Sequence, residues 1–161
     1  MATQLLMRRV TADAYQRMMA GEFVNEFKRE ERGVGETWDV LARILAHGFI
    51  ESPQTHALAI LGGRTVSGPR GFGARALSPH QVAEASGLLN VFVDGEIERR
   101  HRRLDFTGAQ GGGTDGAPVI SVEDCIRAFR CLRKFYAKAA IHGEGMVLLF
   151  AEAASATQEG Q

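Results

Sequence analysis

The stretch Ser121-Val122-Glu123-Asp124 through Leu132-Arg133-Lys134-Phe135-Tyr136-Ala137-Lys138-Ala139-Ala140 to Met146-Val147-Leu148-Leu149-Phe150 decides the fold class, because its periodicity changes part-way. Ser121 followed by Asp124 marks a helix start, with a side-chain oxygen for free N–H groups and a carboxylate near the positive end of the dipole. Val122, Ile126, Phe129, Leu132, Tyr136 and Ala139 then recur at three or four residues and form one apolar helical face reaching about His142. Gly143 ends that helix. Met146–Phe150 is an apolar run of strand length. A long amphipathic helix that hands the chain to a short apolar strand indicates a domain of mixed α and β character.

Working outward, Gln4–Val10 reads as a strand at the other end of the chain. Thr11 reads as an N-cap, with Asp13 in the first turn of a helix that carries Tyr15, Met18 and Met19 and stops at Gly21. Residues 22–36 are charged, with Phe23, Val24 and Phe27 as anchors, and Gly33 and Gly35 break the segment. Trp38, Leu41, Ile44 and Leu45 give an apolar face to a helix over Thr37–His47, closed by Gly48, with His47 at its negative end. Pro53 marks the loop that follows. Ala57–Leu61 is an apolar run that fits either a strand or a buried turn. Residues 62–77 read as a glycine and arginine loop. Ser78-Pro79-His80-Gln81 then opens a helix with a cap, a proline at the first position and a capping-box glutamine. Val82, Ala85, Leu88 and Leu89 supply its buried face. A further helix, rich in arginine, covers Asp94–Leu104. Residues 107–118 hold five glycines and no large apolar side chain, and read as a flexible loop or linker. Residues 153–161 are expected to fray, which leaves 1–152 as one domain.

Counting bounds the function classes. A chain of 161 residues suits one domain and buries about 69% of its extended surface without disulfides or metals. Nineteen basic and nineteen acidic residues cancel, so no overall field draws the chain to nucleic acid or lipid. No stretch approaches the roughly 18 apolar residues of a membrane span, and the N-terminus carries no basic start before a long apolar run. Cys125 and Cys131 lie six residues apart on one helix, about 600° around it, and so point to different faces and cannot bridge. They read as thiols of a reducing compartment, with the cytoplasm as the expected location.

The order of several short segments resembles the YfbM-like family of small bacterial proteins, a domain of unknown function. The matching stretches are Thr37-Trp38-Asp39-Val40-Leu41, Ala59-Ile60-Leu61-Gly62-Gly63, Gly73-Ala74-Arg75-Ala76-Leu77-Ser78-Pro79, Leu132 through Ala140, and Gly143-Glu144-Gly145 with the last strand. They span roughly 37–151. The resemblance implies an α+β fold, a single compact domain with helices packed on a small sheet formed partly by the N- and C-terminal strands. It implies no activity. The family places an aromatic residue directly after the arginine of the third motif, where this chain has Ala76.

Two basic clusters are the candidate sites. In the first, Arg64, Arg70 and Arg75 lie in a glycine-rich segment that runs into the helix start at Ser78. Glycines admit close backbone approach, guanidinium forks fit carboxylate and phosphate, and a helix start attracts anions. The competing reading is an ordinary structured loop, because Ser78 and Gln81 already satisfy that helix start and no Walker-type or dinucleotide motif is present. In the second cluster, Arg99, Arg100, Arg102 and Arg103 flank His101. An acidic protein surface fits them better than nucleic acid, since no aromatic platform for bases is interleaved. A solvated helix face, with Glu96 and Glu98 as partners at helical spacing, explains the same residues. Trp38 with Asp39 and His47 reads as core packing.

No two histidines are spaced as metal ligands, no serine-nucleophile elbow is present, and the acidic residues from Glu22 to Glu36 lie in a segment with no sign of the burial that acid–base work requires. Neither a metal nor a cofactor is expected. The sequence therefore favours a non-enzymatic protein-binding module, such as an immunity or antitoxin protein. The alternative is a small enzyme or sensor that takes an anionic metabolite on the 62–78 segment.

Overall fold

A computed structural model describes residues 3–22, 31–46, 57–67 and 73–152. Phe23, Val24, Phe27, His47, Gly48, Pro53, Arg70 and the tail from Ala153 lie outside them. The two terminal strands, β1 (Thr3–Val10) and β5 (Gly145–Glu152), pair antiparallel along their full length, Thr3 opposite Glu152 and Val10 opposite Gly145. They form the centre of a five-stranded antiparallel sheet in the order β2 (Glu31–Gly35), β1, β5, β4 (Gly73–Leu77), β3 (Arg64–Ser67). β2 adds one edge, with an irregularity between Leu5 and Leu6. β3 and β4 add the other.

Strand alternation assigns each residue to a face. Leu5, Met7, Leu77, Met146 and Leu148 join the larger core, built with five helices: α2 (Trp38–Leu45), α3 (Leu58–Leu61), α4 (Pro79–Asn90), α5 (Asp94–Arg103) and α6 (Val122–Ile141). Val10, Ala74, Ala76, Val147 and Leu149 face the opposite way and pack under α1 (Ala12–Met19) through Ala14, Tyr15, Met18 and Met19. Phe129, Leu132 and Tyr136 of α6 are fully buried, as their spacing predicts. The Tyr136 hydroxyl donates to the Ala59 carbonyl at 2.7 Å and ties α6 to the single turn of α3. Burial pushes the Tyr136 phenol well above its ordinary range. It likewise raises the Cys125 thiol to about 12, and both cysteines are free.

The predicted caps form. Thr11 Oγ1 accepts from Ala14 N at 3.1 Å, and Ser121 Oγ from Asp124 N at 3.1 Å. Ser78 and Gln81 make both bonds of a capping box. Ala57–Leu61 resolves to a helical turn rather than a strand.

Three expectations are corrected. Residues 62–77 are not a loop, because their ends form the β3–β4 hairpin. Gly33 and Gly35 do not break their segment but lie within β2, where Gly35 at φ +60 and the register change fit an edge strand. Residues 107–118 are not a loose linker: Gly113 N donates to the Ala117 carbonyl at 2.6 Å, Val119 N to the Gly111 carbonyl at 2.6 Å, and Phe106 beneath them is fully buried. Gln110 fastens that loop to β1, accepting from Thr3 N at 2.8 Å and donating to the Thr3 carbonyl at 2.6 Å, while its own amide reaches Asp39 at 2.8 Å. Among the described residues no helix is long and apolar enough to cross a membrane.

Candidate functional site

The hairpin turns a stretch of alternating residues into two separate faces. Thr65 lies opposite Arg75 and Arg64 opposite Ala76, so Thr65 and Arg75 share one face while Arg64 lies on the other, with Ala76. Arg64 and Arg75 therefore do not converge on one ligand. Arg70 lies outside the described residues. Ser78 is engaged in the capping box, its oxygen accepting from Gln81 N at 3.1 Å. Arg75, of the first cluster, lines a groove.

It lines two. One groove, of about 360 Å³, is formed by Trp38, Leu61, Thr65, Ala74, Arg75 and Phe150. The other, of about 670 Å³, lies across Leu61 and Arg75 and includes Leu58, Gly62, Gly63, Gln81 and Glu84. Arg75 Nη1 donates to the Leu61 carbonyl at 2.5 Å, which fixes the guanidinium where the two meet. Its Nε and Nη2 meet no acceptor among the described residues. The Trp38 ring is fixed as well. Its Nε1 donates to the Thr3 carbonyl at 3.1 Å, and it stands edge-on to Phe150 with centroids 5.0 Å apart. The groove is thus mainly apolar, with a planar cation on one side and the Thr65 hydroxyl beside it.

The glycines serve a different purpose from the one expected of them. A Cβ on Gly62 would meet the Leu58 carbonyl at 2.5 Å, and one on Gly63, at φ +93, would meet the Ala76 carbonyl at 3.0 Å. Gly62 admits the last turn of α3 and Gly63 the backbone of β4, so the close approach each permits is to the chain's own backbone, while both also line the larger groove.

The second cluster divides along α5. Arg100 faces inward: its side chain is 16% exposed, it donates to Glu96 at 2.8 Å and to the Ile44 carbonyl at 2.8 Å, and it lies over the Phe92 ring at 4.8 Å. It holds α5 on the end of α2. Arg99 donates from Nε to Glu96 at 3.0 Å, and Arg102 pairs with Glu98. The neighbouring Arg99 and then Arg100 hold the Glu96 carboxyl down at about 2. Arg99, Arg102 and Arg103 with Gly95 and Glu98 line a shallow groove of about 240 Å³. Asp94 bonds Arg130 of α6 and so links the two helices. Among the described residues no three His, Cys, Asp or Glu side chains gather as a metal site.

The architecture has a counterpart among solved structures. The crystal structure of YfbM from Escherichia coli, a protein of unknown function, superposes with a TM-score of 0.65 at 12% identity, over 92% of this chain and 99% of that one. This chain shares the fold of YfbM. At that identity the likeness is one of fold, and it agrees with the α+β fold expected from the sequence. No protein-family model matches the chain, and no curated protein does. The function of YfbM is unknown, so the chemistry of the site rests on this chain's own residues.

Sequence reasoning singled out Arg75 but read Trp38 as core packing, so it did not bring the two together, and it missed Leu61, Thr65 and Phe150. The missing signal was the hairpin. Once β3 and β4 pair, period-two alternation puts Thr65 and Arg75 on one face, and the β4–β5 register, Arg75 opposite Leu148, brings Phe150 to the same side.

Proposed function

We propose that the protein is a non-enzymatic binding protein for a small anion-bearing metabolite, seated where Arg75 joins the two grooves. The observation that carries this is the Arg75 guanidinium. It is anchored at one nitrogen by the Leu61 carbonyl and directed into concave surface with its other donors unused. A planar fork held in place loses little entropy on meeting an anion. A thermal-shift screen of phosphorylated and carboxylated metabolites tests the reading. A ligand at a hundred times its Kd adds about 2.7 kcal/mol, a rise of about 5–11 °C for a chain of this size. Arg75→Ala should keep the far-UV spectrum and lose the shift. An unfolded variant, or an unchanged shift, refutes the proposal.

A second reading, the protein-binding module of the immunity or antitoxin kind, has its own support. Arg99, Arg102 and Arg103 present a basic edge, Arg102 being 70% exposed, and Val91 and Val93 stand exposed just before α5. An acidic partner fits that surface. Affinity capture from the native host should return one stoichiometric partner, lost in the Arg99→Glu/Arg102→Glu variant. An unaffected complex removes α5 as the interface.

A further inference from the structure

We propose that the metabolite is a carboxylate carried on an apolar ring, its carboxylate on Arg75 and its ring in the smaller groove against Trp38, Leu61 and Phe150. This rests on the reading of Arg75 as the anion site and adds the class of ligand. Three observations lead to it.

The first is charge. Among the described residues that line the two grooves, Arg75 is the one cation, and Glu84 contributes a carboxylate. The N–H groups at the start of α4 are already satisfied by the Ser78–Gln81 box. A doubly charged phosphate would find one guanidinium and an opposing acid there. A single carboxylate matches the fork of one arginine in both charge and geometry.

The second is the wall. Trp38 is pinned by its Nε1 bond and by Phe150, so the groove offers a preformed aromatic surface that need not order itself on binding. Its volume, about 360 Å³, lies at the small end of the roughly 300–1,000 Å³ of ligand sites and suits a body of one or two rings.

The third is the Thr65 hydroxyl. It is directly opposite Arg75 in the antiparallel register and so shares its face. It supplies a second polar group to the same groove as the guanidinium. The groove therefore combines two polar groups with an apolar wall, and an amphipathic ligand is the complement.

Trp38 is the sole tryptophan of the chain, so the groove carries its own reporter. The probe is 3-phenylpropionate, with 3-phenylpropan-1-ol (ring without carboxylate), acetate (carboxylate without ring) and inorganic phosphate as comparisons. Each is titrated against Trp38 emission and by calorimetry. A saturable emission change is expected with 3-phenylpropionate. Affinity should fall about tenfold or more for the alcohol, for acetate, and for 3-phenylpropionate with Arg75→Met. Thr65→Val, which removes a hydroxyl and keeps the shape, should weaken binding a few-fold. Circular dichroism checks that both variants fold.

Acetate or phosphate binding through Arg75 as tightly as 3-phenylpropionate, without a Trp38 response, overturns the ring assignment and leaves the anion site standing. Alcohol and acid binding equally, with no effect of Arg75→Met, overturns the carboxylate assignment. No Arg75-dependent binding by any of these, together with a blank metabolite screen, overturns both this inference and the function it rests on.

Discussion

Arg9 and Glu144 form an ion pair that costs more to break than to remove. Arg9 lies on β1 with its side chain on the larger-core face, beside Leu5 and Met7, and Glu144 sits in the turn between α6 and β5. Arg9 Nε reaches Glu144 Oε2 at 3.0 Å and Nη2 reaches Oε1 at 3.3 Å, with 8% and 5% of the two side chains exposed. Arg9 Nη1 is buried and has no acceptor among the described residues. The pair has thus given up water for two hydrogen bonds and left one donor unmet. Glu144→Gln leaves a buried guanidinium without its counter-charge, an expected loss of about 3–5 kcal/mol. At about 2–4 °C per kcal/mol for a chain of this size, the midpoint should fall by about 6–20 °C. Arg9→Met, which takes the guanidinium away from the buried carboxylate instead, should cost a similar amount. Arg9→Met combined with Glu144→Leu replaces both charges by apolar volume and should lie within about 1–2 kcal/mol of the parent, or above it. Urea denaturation followed by far-UV circular dichroism and Trp38 emission measures all four proteins. A Glu144→Gln loss below about 1 kcal/mol, or a double variant no more stable than Arg9→Met alone, refutes the reasoning.

Gln110→Ala removes side-chain bonds to Thr3 N, Thr3 O, Thr3 Oγ1 and Glu36 O. It should cost about 1–3 kcal/mol and speed amide exchange over 107–118, measured by mass spectrometry. Gly63→Ala places a Cβ at φ +93 against the Ala76 carbonyl. It should cost about 1–3 kcal/mol in the same urea assay, and a neutral result would show that the turn relaxes. The depressed Glu96 carboxyl, at about 2, stabilises the native state above its ordinary value of 4.5, and that contribution is lost as pH falls from there toward 2. Glu96→Gln should therefore flatten the fall of the midpoint over that range, and an unchanged slope would refute the assignment. The Cys125 thiol, raised to about 12 and buried, should react with iodoacetamide at pH 8 far more slowly than Cys131, as peptide mapping would show.

What could be read from the sequence was what local chemistry determines. The caps at Thr11, Ser78 and Ser121 have donors and acceptors within three residues of one another, so their partners are visible in the chain itself. The long period of α6 was equally plain, because one face of twenty residues must find a core. β3 and β4 were hidden for the opposite reason. Arg64–Ser67 is only four residues long, with Thr65 and Val66 as its only strand formers, and Gly73–Leu77 is mostly glycine, alanine and arginine, with little strand propensity of its own. They are strands because β5 lies alongside β4, and the pairing partner stands some seventy positions away. The loop at 107–118 misled in the same manner. Its glycines suggest freedom, yet Gly111 and Gly116 hold positive φ angles of 82 and 83, and at Gly112 a Cβ would lie 2.0 Å from the Phe106 carbonyl. There glycine is the residue that permits a tight, bonded path.

Ala76 shows why the candidate site had to wait for the sheet. In the one-dimensional comparison with the YfbM-like pattern, the missing aromatic after Arg75 bears directly on that arginine. In three dimensions the two neighbours face opposite sides of β4. Ala76 is fully buried with Val10, Ala14, Ala74, Val147 and Leu149, under α1. Arg75 is on the other side, at the groove of Trp38 and Phe150. The small residue is answered by the close seat of α1, whose Ala14 packs against the same cluster, and an aromatic at 76 would have to displace that helix. The departure thus belongs to the packing of α1 and leaves Arg75, Thr65 and the aromatic wall untouched. Ala76→Phe, which adds a whole phenyl ring to that cluster, should accordingly lower the urea midpoint while leaving the Arg75 groove intact in whatever fraction remains folded.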